Sequence, residues 1–279
     1  MLSVTVFYAP HNQRSKMIAD VALNGFRVLG IHAKLRNSLS YVEPDSDVAV
    51  FYGLAEGLDK VFADYKKEGK AIYIDLGYWG RRLSGRFDGY HKISINNRHA
   101  TDYFQQRDYS SNRFDEFNIP IKPWRRYGNS IVIAGMSAKA CWAEGLAPEQ
   151  WERATVAELI KTTRRKIVYR PKPSWPGAKP IPGTIMQKSI DIAPCLQRCH
   201  AVVTHHSNLA IDAILAGVPA FCVEGLASAM SLSDLSQIEN PIMPDNRHQW
   251  ASNIAWTQFT PTEIHAGLPW QHMLNEGLI

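Results

Sequence analysis

Short, nearly continuous apolar runs recur along the chain. Each is followed by a segment whose apolar residues return every three or four positions. "LSVTVFY" (2–8), "RVLGIHA" (27–33), "SDVAVFYG" (46–53), "KAIYIDLG" (70–77) and "GYHKISINN" (89–97) read as strands. Between them, "APHNQRS" is a loop leading to a helix over 15–25, and "LDKVFADYKKEG" carries its apolar residues at helical spacing. Such apolar runs read as buried strands. Their alternation with helices indicates a parallel sheet with crossover helices.

From residue 97 to 123 the pattern weakens, and "IPIKPWRRYGNS" (119–130), with Pro120, Pro123 and Gly128, reads as a linker. The alternation then restarts. Strand "SIVIAG" (130–135) precedes a helix from about Ser137 and a second helix over 148–163. Strand "KIVYRP" (166–171) is followed by a Pro/Gly-rich loop, helix "IAPCLQRC", strand "AVVTH", helix "SNLAIDAILAG" and strand "PAFCVEG". The expected architecture is two Rossmann-like α/β domains facing across a cleft: an N-terminal domain over 1–125, a C-terminal domain over 126–245, and a helical segment over 246–279. That last segment is expected to pack back on the first domain through Trp250, Ile254 and Phe259. In open parallel sheets ligands sit outside the carboxyl ends of the strands, so the loops after the strands carry the candidate chemistry.

Composition narrows the class. The 279 residues are 45% hydrophobic and 20% charged, as in an ordinary globular protein. No apolar run approaches 18 residues, and "MLSVTVFYAPHNQRSK" lacks a basic segment followed by a long apolar core. Neither a membrane span nor a signal peptide is expected, which implies a cytoplasmic protein without a membrane partner. The net charge of +5 suits an anionic ligand or nucleic acid. Arg81, Arg82, Arg86, Arg98, Arg107, Arg113, Arg125 and Arg126 all fall between residues 80 and 130. Cys195 and Cys199, four apart with His200 adjacent, raise a metal site. No second ligand pair stands at zinc spacing, so buried reduced thiols are the expectation.

Three loops of the second half carry matching chemistry. "GMSAK" brings Gly135, Ser137 and Lys139; the next strand ends in Arg170 and Lys172; "HHSN" brings His205, His206, Ser207 and Asn208 to the start of a helix. Free N–H groups at a helix start favour phosphate, two cations would neutralise a diphosphate, and Asp212 one turn on can accept from ribose hydroxyls. Simple capping by Ser207 or Asn208 gives the same residues a purely structural reading.

The order "IVIAGMSAK … IVYRPKP … SIDIAPCLQRCHAVVTHHSNLAIDAILAGVPAF" resembles the donor domain of GT-B glycosyltransferases. The resemblance covers roughly residues 130–225 by motif and the first half only by layout. It implies a nucleotide-sugar donor, a UDP-sugar being the expected one. Ser207, Asn208 and one histidine, His206, would lie at phosphate, Arg170 on the diphosphate, Asp212 near the ribose, and the turn around Ile192 against the base. Thr204 stands where many retaining members carry a glutamate, which implies an inverting enzyme. No Asp-x-Asp motif appears, and no obligatory metal is expected. The tail, with "IENP" and a Trp-rich helix, resembles phage-encoded DNA-base glycosyltransferases.

Inverting transfer needs a base within reach of an acceptor hydroxyl. Asp75, ending the fourth strand, and His11, following the first, are the candidates, with Asp75 ranked slightly ahead. Around Asp75, Tyr78 and Trp79 offer stacking faces, and Arg81, Arg82, Arg86 and Arg98 offer phosphate contacts. The expected function is an inverting glycosyltransferase, acting as a monomer on a hydroxymethylated pyrimidine in double-stranded DNA. Two other readings stand beside it: transfer to a cell-surface glycan or lipid intermediate, and a non-catalytic nucleic-acid-binding module on a vestigial sugar-nucleotide fold. A nucleotide-sugar epimerase using Asp75, Asp191 or Glu224 shares the same architecture.

Overall fold

A computed structural model describes residues 2–82, 86–104, 107–173, 175–189 and 191–279. In chain order the strands are β1 (Ser3–Tyr8), β2 (His32–Asn37), β3 (Val48–Tyr52), β4 (Lys70–Leu76), β5 (His91–Ile95), β6 (Ser130–Ala134), β7 (Lys166–Arg170), β8 (Ile185–Met186), β9 (Cys199–Thr204), β10 (Ala220–Cys222) and β11 (Gln258–Phe259). The chain divides into two compact units, Met1–Arg113 with Asn253–Ile279, and Phe114–Ser252.

The first unit is built on a six-stranded sheet in the order β11-β5-β4-β3-β1-β2. Successive residues of its central strands face opposite layers, as the period of two requires. Val4, Val6, Val48, Val50, Ile72 and Ile74 join one core with helix α1 (Gln13–Val28). Ala49, Phe51, Ala71 and Tyr73 join the other with helix α2 (Leu58–Glu68). This two-sided burial is why the strands read as unbroken apolar runs.

Two expectations need correction. "RVLGIHA" is not a strand from its start: α1 continues to Val28, Gly30 ends it at φ +71°, and β2 begins only at His32. A helix commonly stops at a glycine in this region, which a side chain would strain. Nor is the sheet wholly parallel. The connection 77–90 carries no helix among its described residues, so β5 returns antiparallel to β4, and β11 pairs antiparallel with β5.

The end of the chain completes this unit. Thr260 and Glu263 form a capping box that starts the helix Pro261–His265, and Gly267 turns the chain at φ +83° into the helix Leu268–Asn275. Trp270, fully buried, stacks on Phe26 at 4.5 Å, and Phe259 joins the same core. Trp250 belongs to the second unit, where its indole N–H donates to the Leu226 carbonyl at 3.0 Å. Arg113, counted above among the basic cluster, is buried. It pairs with Glu263 at 2.6 Å and donates to the Gln258 carbonyl at 2.9 Å. Arg107 pairs with Glu276 at 2.7 Å. Part of the arginine run therefore serves internal ion pairs rather than a basic surface.

The second unit carries a five-stranded parallel sheet in the order β10-β9-β6-β7-β8. Ile131, Ile133, Ala201 and Val203 face one core, and Val132, Ala134 and Val202 face the other. Among the described residues no helix is long and apolar enough to cross a membrane.

Candidate active site

In each sheet the strand order reverses beside its first strand, which is where open α/β sheets bind ligands. In the first unit the reversal falls between β1 and β3. The loop leaving β1 is fixed at both ends: Ser15 Oγ accepts the Ala9 N–H at 2.9 Å, and Asn12 caps α1 by accepting the Ser15 N–H at 3.0 Å. His11 lies between them, largely exposed. From the neighbouring loop Glu56 reaches it, its Oε2 3.2 Å from His11 Nδ1 and 3.0 Å from the His11 backbone N–H. Glu56 has φ +55°, a left-handed conformation unusual for a residue with a side chain, and its carbonyl accepts the Ser38 hydroxyl at 2.6 Å.

A cavity of about 490 Å³ opens here, lined by His11, Asn12, Arg14, Tyr52, Glu56 and Phe87. Arg14 is buried and donates to the carbonyls of Arg82 at 2.9 Å and Arg86 at 3.0 Å, with its guanidinium 5.0 Å from the Phe87 ring. His91 packs 5.9 Å from Tyr52. Burial, reinforced by the Arg14 charge, pushes the His91 pKa down to about 4, so it is neutral near pH 7.

Asp75 is half-buried. Its Oδ2 accepts the Tyr73 hydroxyl at 2.8 Å, and its Oδ1 accepts the Leu76 N–H at 2.8 Å. Both oxygens thus hold partners on its own strand, whereas His11 is open to solvent and oriented by a carboxylate.

The expected stacking faces are corrected. Tyr78 and Trp79 are only 5% and 6% exposed, and their backbone N–H groups both donate to the buried Gln258 side chain, at 2.7 and 3.2 Å. Arg81 and Arg82 are exposed, and Arg86 is exposed and paired with Asp88 at 2.8 Å. Arg98 is half-buried, and its carbonyl accepts from Lys92 at 2.7 Å.

In the second unit the reversal falls between β6 and β9. Arg170, Ala134, Thr204 and Cys222 lie in register across β7, β6, β9 and β10, so four loops leave from one row. From β6 comes Ser137, which caps the helix Ala138–Ala143 by accepting the Ala140 N–H at 3.1 Å. The Lys139 side chain lies outside those described. Arg170 itself is buried at the row, and the exposed Lys172 follows it. From β9 come His205, His206, Ser207 and Asn208, and from β10 comes Glu224.

Thr204 ties these loops together, donating to the Ala134 carbonyl at 3.2 Å and accepting the Ser207 N–H at 3.0 Å. Ser207 Oγ accepts the Leu209 N–H at 3.3 Å, while the Asn208 side chain makes no capping bond. The helix that follows, Leu209–Leu215, has seven residues and carries Asp212, half-buried. Ile192 precedes the helix Ala193–Gln197.

Cys195, Cys199 and His200 do not converge. Cys195 donates to the Gln187 side chain, Cys199 to the Ala201 carbonyl at 3.0 Å, and His200 Nε2 meets the Ile238 carbonyl at 2.9 Å. Three features escaped the sequence: the Glu56 partner of His11, the approach of Glu224 to the histidine pair, and Glu152. The last is fully buried beneath the β6 loop, where it accepts the Met136 N–H at 2.6 Å; burial holds its carboxyl above the usual range.

No protein-family model matches the sequence, and no curated protein matches it. Among solved structures, the Thermosulfurimonas dismutans KpsC β-Kdo 2,7 transferase is similar at a TM-score of 0.57 and 11% identity, over 97% of this chain and 99% of that one. The β-Kdo 2,4 transferase of the same organism's KpsC is similar at a TM-score of 0.51 and 9% identity, over 90% and 89%. At such identities the likeness is one of fold, and it runs over nearly the whole length of both chains. The chain therefore has the GT-B class of fold, with two Rossmann-like α/β units in one polypeptide.

Proposed function

We propose that the protein is a glycosyltransferase that moves a sugar from a nucleotide-sugar donor, a UDP-sugar in the first instance, to an acceptor hydroxyl with inversion. The observation that carries this reading is the row Arg170–Ala134–Thr204–Cys222, from which Ser137 and the 205–208 loop depart at the reversal point of a parallel sheet and Lys172 departs one strand away. Arg170 and Lys172 neutralise the diphosphate, Ser137, His206, Ser207 and Asn208 donate to its oxygens, and Asp212 and the turn at Ile192 take the nucleoside.

His11 is the general base, held by Glu56 in the manner of an imidazole oriented by a carboxylate. It removes the acceptor hydroxyl proton, the acceptor oxygen bonds to the anomeric carbon, and the bond from that carbon to the diphosphate breaks with its electrons. Asp75 drops to second choice, since its oxygens are taken by Tyr73 and Leu76.

A glycan is the preferred acceptor class. The buried Tyr78 and Trp79 remove the stacking platform that a DNA base would use, and the full-length structural likeness is to proteins named as Kdo transferases. The exposed Arg81, Arg82 and Arg86 support hydroxymethylated double-stranded DNA as a second reading. Incubation with a panel of nucleotide sugars, glycan acceptors and hydroxymethylated DNA, read by mass spectrometry, separates the two. A sugar mass on the glycan supports the first acceptor and a sugar mass on the nucleoside the second; no sugar mass on either refutes the transfer.

A further inference from the structure

The loops leaving β9 and β10 bring three ligating side chains together in the second unit: His205, His206 and Glu224. They are the group of this kind found among the described residues. His205 Nδ1 lies 3.0 Å from His206 Nδ1, Glu224 Oε1 lies 3.7 Å from the first, and the same oxygen lies 3.5 Å from the second. A triangle of these sides has a point about 2 Å from all three atoms, the length of a Zn–N or Zn–O bond. Ligand atoms around a tetrahedral zinc stand about 3.3 Å apart, within the spread seen here.

The three side chains are positioned by elements that do not depend on an ion. β9 and β10 run parallel in register up to Thr204 and Cys222, and the Glu224 N–H donates to the His205 carbonyl at 2.9 Å. The Trp151 ring packs edge-on against His205 at 5.8 Å, and Gly225, at φ +90°, turns the chain directly after Glu224. The group is buried at His205 and opens toward Glu224, whose side chain is 38% exposed, so a small hydrated cation can enter. Two imidazole nitrogens and one carboxylate oxygen are donors suited to zinc. Three protein ligands also leave a fourth position for water or an incoming oxygen ligand.

We propose that His205 Nδ1, His206 Nδ1 and Glu224 Oε1 form a binding site for a divalent transition metal, zinc being the best match. The site stands whether or not the protein transfers sugars, since it rests on this triangle alone.

The test uses the full chain stripped of metal by chelator and titrated with Zn²⁺ against a chromogenic competitor, with Co²⁺ as a spectroscopic probe. One Zn²⁺ per chain is expected, together with visible Co²⁺ absorption that Zn²⁺ erases. Glu224→Gln and His206→Gln, each checked by circular dichroism for an intact fold, are expected to weaken Zn²⁺ at least tenfold. If one variant misfolds, the other decides. Absence of saturable Zn²⁺ binding by the unaltered chain overturns the proposal, and so does wild-type affinity in the folded variants. Neither readout involves a sugar donor, so failure here leaves the transferase reading standing and success does not establish it.

Discussion

His11 Nδ1 lies 3.2 Å from Glu56 Oε2, and the same oxygen accepts the His11 backbone N–H at 3.0 Å. One carboxylate thus fixes both the loop and the imidazole that the loop carries. With His11 as the base, His11→Ala lowers kcat by about 10²-fold or more. Glu56→Gln lowers it by a smaller factor and leaves the donor KM unchanged, because it alters orientation rather than donor binding. Steady-state kinetics check this, and wild-type kcat in both variants removes the pair from the mechanism.

Arg170 ends β7 in the row from which the donor loops leave, and it is buried there. A charge-assisted contact to phosphate contributes about 1.5–3 kcal/mol. Arg170→Ala is therefore expected to weaken nucleotide binding by about 10- to 100-fold, measured by calorimetry. Unchanged affinity takes Arg170 out of the donor site.

Gly25 lies on α1 where the C-terminal helices pack. A Cβ there would collide with the Ile264 carbonyl oxygen and stand 2.6 Å from Trp270 Nε1. Gly25→Ala should destabilise the first unit by about 1–3 kcal/mol despite its better helix propensity, because the contact is with backbone that cannot swing away. Trp270→Ala, which empties the site stacked on Phe26, should cost about 3–5 kcal/mol. Urea unfolding gives both values, and a stabilised Gly25→Ala would contradict this packing.

His91 makes stability depend on pH. Buried, it gives up its proton near pH 4 rather than near 6.5, so between those values the unfolded chain binds more protons than the folded one. Its contribution is complete above pH 6.5 and is lost as pH falls toward 4, by up to about 3 kcal/mol. Denaturant melts at pH 7 and pH 4.5 should show a smaller loss for His91→Phe than for the unaltered chain. An equal loss assigns the acid sensitivity to other groups.

Most strand ends were placed within two residues, though not those of β2 or the far end of β10, and the alternation of strands and helices was legible because most core strands are buried on both faces. β11 was not: two residues, Gln258 and Phe259, carry no period. The antiparallel return of β5 was hidden because strand direction leaves no mark in composition. Arg170, Ser137 and the 205–208 loop could be read together because each ends or follows a strand, and the register sets those strand ends in one row. Glu56 could not, since it meets His11 across 45 positions and from a conformation that residue type alone does not announce. Tyr78 and Trp79 misled for a related reason. Aromatics in a glycine-rich stretch look alike whether exposed or buried, and the backbone that carries these is held by the distant Gln258.

Sugar transfer is tested most directly by following nucleotide release and sugar gain on the acceptor together, in the unaltered protein and in His11→Ala. One nucleotide is expected to be released per sugar transferred with at least one donor, and His11→Ala is expected to lose both signals in parallel. Release and transfer that are absent with every donor and acceptor would contradict sugar transfer, and equal rates in His11→Ala would contradict His11 as its base.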